Sequence, residues 1–263
     1  VYKGVIMAIK KYALALALLT SVAKAAMVDD QCYKFYVGGD LGLGVFFHNH
    51  CNDGLYNDAF VDNFDDASST FGGGRAVFIG GGRVGAAWNG SECWYAAIEG
   101  NIHSASGRTC VTGISCFELS DDCEQYRYCF ETKSSWIAGI HGHLGYKIAD
   151  ETVFYAIGGA KYLRGYFSQN FVFSDNDAYF AGKTFGDCRD INRWGWAFGF
   201  GYVSNLWCNW DLRLEAIYAR FGRTGCPNNI VFTDSDDNDY VVANQITTTP
   251  KLFYGVVSLA YNF

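Results

Sequence analysis

A chain of 263 residues is long enough for one large domain, and 31 Gly, 17% aromatic residues and only 2 Pro describe strands better than helices. Mean hydropathy near zero excludes a bundle of membrane helices, which needs spans of about 20 apolar residues each. The net charge of −7 argues against nucleic acid as a partner.

The first stretch with a clear pattern lies near the start. Lys10 and Lys11 precede a short apolar core, Tyr12 to Leu19, and Ala23-Lys24-Ala25 supplies small residues where an export peptidase requires them. This predicts a secretory signal peptide over residues 1–25, with cleavage after Ala25, Ala26 the alternative, and Met7 a plausible start. The core is too short for an uncleaved anchor. Residues 1–25 carry four Lys and no acid, so cleavage takes the charge from −7 to −11.

Residues 26–263 read as eight strands by their period-two alternation. Strand one, Tyr33 to Phe47, alternates Phe35, Val37, Leu41, Leu43 and Val45 with Tyr36, Gly38, Asp40 and Gly42. A polar stretch, His48 to Thr70, follows as the first long loop. Strand two, Arg75 to Trp88, ends in Asn89-Gly90, the strongest short hairpin signal. Strand three, Cys93 to Ser104, places Trp94, Ala96, Ile98 and Ile102 outward and Tyr95, Glu99, Asn101 and His103 inward. Folding these two strands about the Asn89-Gly90 turn sets Arg83 opposite Glu99.

After a second loop, Ala105 to Thr132, come strand four, Lys133 to Ile148, and strand five, Thr152 to Phe167, joined by a short turn. Loop three is Ser168 to Ile191. Strand six, Asn192 to Ser204, carries Trp194, Trp196, Phe198 and Phe200 on one face, and strand seven is Asn209 to Arg220. Loop four, Phe221 to Thr247, leads into the closing strand, where Phe253, Val257, Leu259, Tyr261 and Phe263 share one face. Short connections follow strands two, four and six, and long polar ones follow strands one, three, five and seven. That asymmetry matches the short periplasmic turns and long outer loops of outer-membrane barrels. The fold expected is all-β: an eight-stranded antiparallel up-and-down transmembrane β-barrel.

The export signal, the opening run Phe35-Tyr36-Val37-Gly38-Gly39-Asp40-Leu41-Gly42 and the aromatic ending Tyr261-Asn262-Phe263 resemble the small eight-stranded outer-membrane barrels of the OmpA-transmembrane and opacity-protein type. The resemblance implies outer-membrane localisation, lipid as the surrounding partner, and Tyr261 and Phe263 as the signal read by the barrel-insertion machinery. Such families include adhesins, membrane-tethering proteins, small porins and a few lipid-modifying enzymes. The lipid A deacylases among them pair a His with a Ser two residues on; here the residue two after His103 is Ala105, so the pattern fails and no catalysis is expected. The cysteine content resembles that of the major outer-membrane proteins of some intracellular bacteria, whose envelopes are cross-linked by disulfides.

The inward ionisable set is Asp40, Glu99, Asp211 and Glu215 with Arg75, Arg83, Lys147, Lys161, Arg193 and Arg213. Its expected role is to fill the lumen with paired charges. His103, His141 and His143 share the inward face, and His141 and His143 with His103 from across the barrel form an imaginable metal set; lumen packing is the preferred reading, and no metal or cofactor is expected. Acidic residues fill loop one (Asp53, Asp58, Asp62, Asp65, Asp66) and loop four (Asp234, Asp236, Asp237, Asp239), but the latter run lacks the Gly and Glu of a calcium loop.

Ten cysteines in an exported chain imply disulfides, and no C-x-x-C pair points to zinc or redox chemistry. The topology places Cys51, Cys110, Cys116, Cys123, Cys129, Cys188 and Cys226 outside and Cys32, Cys93 and Cys208 at the periplasmic rim. Both counts are odd, which leaves at least one thiol on each side for an intermolecular bond. The function expected is a structural or surface-interaction barrel, adhesin-like, contacting host or envelope proteins through its outer loops. A small porin passing ions or small solutes is the alternative.

Overall fold

The structure, a computed structural model, describes residues 33–56, 70–89, 93–119, 122–149, 151–173, 184–207, 209–233 and 239–263. The expected signal peptide, Cys32 and Cys208 lie outside the described residues. The strands are β1 (Tyr33–Tyr56), β2 (Thr70–Asn89), β3 (Trp94–Leu119), β4 (Asp122–Ala149), β5 (Thr152–Phe173), β6 (Thr184–Trp207), β7 (Trp210–Phe221), β8 (Thr224–Thr233) and β9 (Asp239–Asn262).

Each strand pairs antiparallel with its neighbour, and β1 pairs with β9 to close the sheet. β7 and β8 are two parts of one barrel strand. Both lie along β9, from Trp210↔Tyr261 to Arg220↔Lys251 and on from Thr224↔Thr248 to Thr233↔Asp239. The step between them falls at Gly222, whose N–H donates to the Trp194 carbonyl at 2.9 Å. The result is a closed eight-stranded antiparallel barrel. Closure pairs the strands all the way round the apolar belt, which a sheet in lipid requires.

Alternation decides the two faces. Leu41, Leu43, Ile98, Ile140, Leu144, Phe198, Phe200 and Val257 project outward and are exposed. Their neighbours Tyr36, Tyr95, His141, Tyr155, Ala197 and Val256 are buried. Such a belt of bare apolar side chains is stable only where lipid covers it. The seam joins Tyr36 to Asn262 and Val37 to Tyr261, and the Phe263 N–H donates to the Phe35 carbonyl at 2.8 Å. On β9, Phe253, Val257 and Leu259 face out, as does Phe263 just beyond it, while Tyr254, Ser258 and Ala260 face in.

Two sequence expectations differ from the fold. First, where the structure describes the long stretches read as loops, they are mostly strand, and residues 57–69, 174–183 and 234–238 lie outside the described residues. β3 and β4 run on through residues 105–132 to Leu119 and Asp122, and β1, β5, β6, β8 and β9 extend likewise. The reason is composition: Val111, Thr112, Ile114, Phe117, Tyr126, Tyr128 and Phe130 suit a pleated ladder, and their polar neighbours are tolerated wherever the ladder leaves the membrane. Second, Arg83 faces Asn101, and Glu99 faces Gly85. The last pair of that hairpin is Asn89↔Tyr95, and residues 90–92 of the expected turn lie outside the described residues. A slip of two residues keeps every side chain on its face, so alternation alone could not set this register.

Candidate functional site

The inward residues meet in the middle of the barrel around Arg83 of β2. Its Nε donates to Asp40 Oδ1 of β1 at 2.6 Å, and its Nη1 to Glu99 Oε2 of β3 at 3.0 Å. From β7, Glu215 accepts two parallel bonds, from Nη1 at 2.8 Å and Nη2 at 3.0 Å. All four side chains are fully shielded from solvent. One guanidinium therefore ties four strands together through the lumen. The planar fork suits this task, because it can hold several carboxylates at fixed angles.

Neutral groups complete the network. Tyr36 donates to Glu99 Oε2 at 3.0 Å and Tyr155 to Glu215 Oε1 at 2.6 Å. Asp40 Oδ2 lies 2.6 Å from His103 Nε2. Arg213 stacks on the Tyr36 ring, 3.7 Å from its centroid, with Glu99 at 3.6 Å and Asp211 at 3.8 Å. Lys161 donates to Asn101 Oδ1 at 3.0 Å and lies 5.4 Å from the Tyr254 ring centre. Buried charge of both signs thus balances: Asp40, Glu99 and Glu215 against Arg83, Lys161 and Arg213. An unpaired member would cost several kcal/mol.

Glycines make room for these side chains. A Cβ on Gly81 would lie 2.7 Å from His103 Cδ2, and one on Gly85 would overlap the Tyr36 ring. So the inward glycines that look like gaps in the alternation are where large neighbours cross the lumen.

The remaining members of the predicted set lie elsewhere. Lys147 and Asp211 line a cavity of about 670 Å³ at the short-turn end, with Lys34, Tyr95, Glu151 and Arg213 also in its wall. Arg75 is exposed on β2. Arg193 is exposed too, and donates to the backbone carbonyls of Asn192 and Arg223. Asn101, Tyr36 and Tyr155 belong to the network although sequence reasoning, which collected ionisable groups only, left them out. Their inward parity was the available signal.

The histidines divide. His103 is taken up by Asp40. His141 and His143 instead gather with Glu99, all buried, each offering one ligand atom within 4.8 Å of the others. Glu99 and His141 stand opposite each other in the β3–β4 ladder. Asn101 Nδ2 bridges Glu99 Oε1 at 3.1 Å and His141 Nδ1 at 3.2 Å. Among the described residues, His141 Nε2 and both ring nitrogens of His143 have no hydrogen-bond partner. The His143 ring stacks on Tyr155 at 4.9 Å.

Among the described residues Cys93 is a free, half-buried thiol. Cys51, Cys110, Cys116, Cys123, Cys129, Cys188 and Cys226 occupy strand positions, but their side chains lie outside the described residues, as do Asp58, Asp62, Asp65, Asp66, Asp234, Asp236 and Asp237 altogether. Tyr261 packs against Trp210 at 5.2 Å and Phe263 at 5.1 Å, and its hydroxyl accepts from Asn209.

Residues 13–248 match the family described as outer membrane protein beta-barrel domain. No curated protein matches the chain. Solved structures similar to it include the outer membrane protease OmpT of Escherichia coli, with 10% identity, 89% of this chain and 99% of that one covered, and a TM-score of 0.45. OprG of Pseudomonas aeruginosa has 11% identity, 88% and 96% coverage, and a TM-score of 0.40. Ail, the attachment invasion locus protein of Yersinia pestis, has 12% identity, 86% and 99% coverage, and a TM-score of 0.31.

Proposed function

The chain belongs to the outer membrane protein β-barrel family and resides in the bacterial outer membrane, and within that setting we propose a sealed structural barrel that presents its extended strand ends as a surface for interaction. The observation that carries this reading is the grip of Arg83 on Asp40, Glu99 and Glu215. These four fully shielded side chains reach across from β1, β2, β3 and β7. An ion crossing this layer must shed its water and part a bidentate ion pair in a low-dielectric interior.

The strands are also far longer than a bilayer needs. β4 has 28 residues, whereas a tilted crossing takes about 9–11. Among the described side chains of β3, the exposed apolar ones run from Trp94 to Ile102, next to the short turns. The excess length therefore stands at the opposite end, which we assign to the outside of the cell. It forms a paired platform, a suitable shape for contact with host or envelope proteins. The odd cysteine counts on the two sides add a route to disulfide cross-linking with a neighbouring envelope protein, and Cys93 is a thiol free for it.

The competing reading is a small porin. Single-channel recording in planar bilayers separates them: no conductance above baseline is expected of the wild-type chain. Steady open events would overturn the sealed barrel and favour solute passage.

A further inference from the structure

We propose that Glu99, His141 and His143 bind one transition-metal dication of the zinc class, entering from the short-turn end of the lumen. Inward parity alone groups the two histidines with His103 as a third ligand. The geometry replaces His103, held by Asp40, with Glu99.

The ligands sit on rigid neighbours. His141 and His143 are two apart on the inward face of β4, and Glu99 is the direct ladder partner of His141 on β3. Rigid strands are better platforms for a metal than loops. The ligand atoms lie within 4.8 Å of one another. Zinc bonds to nitrogen and oxygen place tetrahedral ligands about 3.3 Å apart, a contraction that side-chain rotation supplies.

A second observation points to a ligand. Three ring nitrogens, His141 Nε2 and both of His143, are buried with no partner among the described residues. The Tyr95, Tyr254 and Ser258 hydroxyls share that state, but lone pairs of neutral imidazoles beside a carboxylate are what a dication takes. Two imidazoles and one carboxylate select zinc, nickel or copper over magnesium or calcium, which prefer all-oxygen shells. Three protein ligands leave a fourth position open to water or a small ligand.

A path exists. Tyr95 lines the cavity at the short-turn end and lies 5.6 Å from Tyr155, which stacks on His143. Two tyrosine rings, Tyr95 and Tyr155, thus separate the site from the cavity.

The surroundings set the affinity. Arg83 and Arg213 lie against Glu99, and Lys161 holds the Asn101 amide with Oδ1 toward itself. Metal on His141 Nε2 puts the ring proton on Nδ1, so Asn101 must turn to present Oδ1 to it. Lys161 opposes that turn and repels the cation. It is therefore a positioning residue that weakens binding.

The test uses the full chain, folded in detergent and stripped with chelator, dialysed against zinc, nickel or copper ions with metal counted by mass spectrometry. One ion per chain is expected for wild type, none for His143→Phe, which keeps the stack on Tyr155, and at least tenfold tighter binding for Lys161→Met. Heat-dependent gel mobility verifies that each variant is folded; if His143→Phe is not, Glu99→Gln takes its place. X-ray absorption of the zinc-loaded wild type should show nitrogen and oxygen only, with imidazole scattering. No bound metal, equal binding by the variants, or sulfur around the metal each overturns the proposal.

Discussion

Arg83 reaches across the lumen to Glu215 and binds both of its carboxylate oxygens, at 2.8 Å and 3.0 Å, with both side chains fully shielded. The two residues belong to β2 and β7, which are not neighbours in the sheet. Arg83→Met leaves Asp40, Glu99 and Glu215 without their shared cation. Removing one partner of a buried pair costs about 3–5 kcal/mol. Urea unfolding of the barrel in lipid should show a loss of that size, and Arg83→Lys should recover little, since an ammonium cannot hold three carboxylates as a fork does. The same Met variant, if folded, should show conductance that the wild type lacks.

Gly85 gives way to Tyr36. A Cβ there would overlap the Tyr36 ring and stand 2.7 Å from the Ile98 carbonyl oxygen. Tyr36 also donates to Glu99, so displacing it disturbs the charge network. Gly85→Ala should destabilise by about 1–3 kcal/mol, the usual cost of overpacking. Gly39→Ala is the control: nothing lies within 4 Å of a Cβ at that position, and its effect should stay within about 0.5 kcal/mol. Equal effects from the two changes would remove the steric argument.

Alternation alone makes the two faces of the barrel legible in the sequence. Leu41, Ile98, Phe198 and Val257 were outward by parity and are bare, and Asp40, Arg83, Glu99 and Glu215 were inward and are buried. Register was not legible. A two-residue slip preserves parity, so Arg83 was set against Glu99 when its ladder partner is Asn101, and the ion pair forms on the diagonal instead. Contacts across the lumen were out of reach for the same reason. Asp40 meets His103 over β2, and Arg83 meets Glu215 through the interior, distances that no periodicity encodes. Strand ends were misjudged because Asp and Asn signal loops in most proteins. Here backbone pairing continues past the membrane, because β-branched and aromatic residues such as Val111, Ile114, Tyr126 and Tyr128 alternate with the polar ones along the ladder.

Phe263 and Tyr261 form an aromatic cluster with Trp210 at the seam beside β1. If they address the chain to the insertion machinery, Phe263→Ala should lower the amount of folded barrel in cells severalfold. Refolding of the purified chain into detergent should change little, because Phe263 is half exposed and packs only at the rim. Pulse-labelling followed by heat-dependent gel mobility measures the first, and tryptophan fluorescence the second. Equal losses in both would assign Phe263 to stability instead.

The outer β3–β4 hairpin carries Cys110 and Cys116 on one strand and Cys123 and Cys129 on the other. In the ladder Cys110 faces Glu131 while Cys129 faces Thr112, and Cys116 faces Gln125 while Cys123 faces Glu118. Each cysteine is therefore two positions from a cysteine on the partner strand, by the same offset in both pairs. Diagonal neighbours lie about 7–8 Å apart, just beyond the ~6.8 Å that a disulfide spans comfortably. A single two-residue slip of the hairpin sets both pairs directly opposite and keeps all four on one face. The β3–β4 ladder already changes register between Ser104 and Gly107, so it has a place to absorb the slip. In an oxidising compartment the bonds expected are Cys110–Cys129 and Cys116–Cys123. Peptide mapping without reductant should recover those two linked pairs. Recovery of Cys110 joined to Cys116, or of all four as free thiols from cells lysed under alkylating conditions, would show that the hairpin keeps its present register without staples.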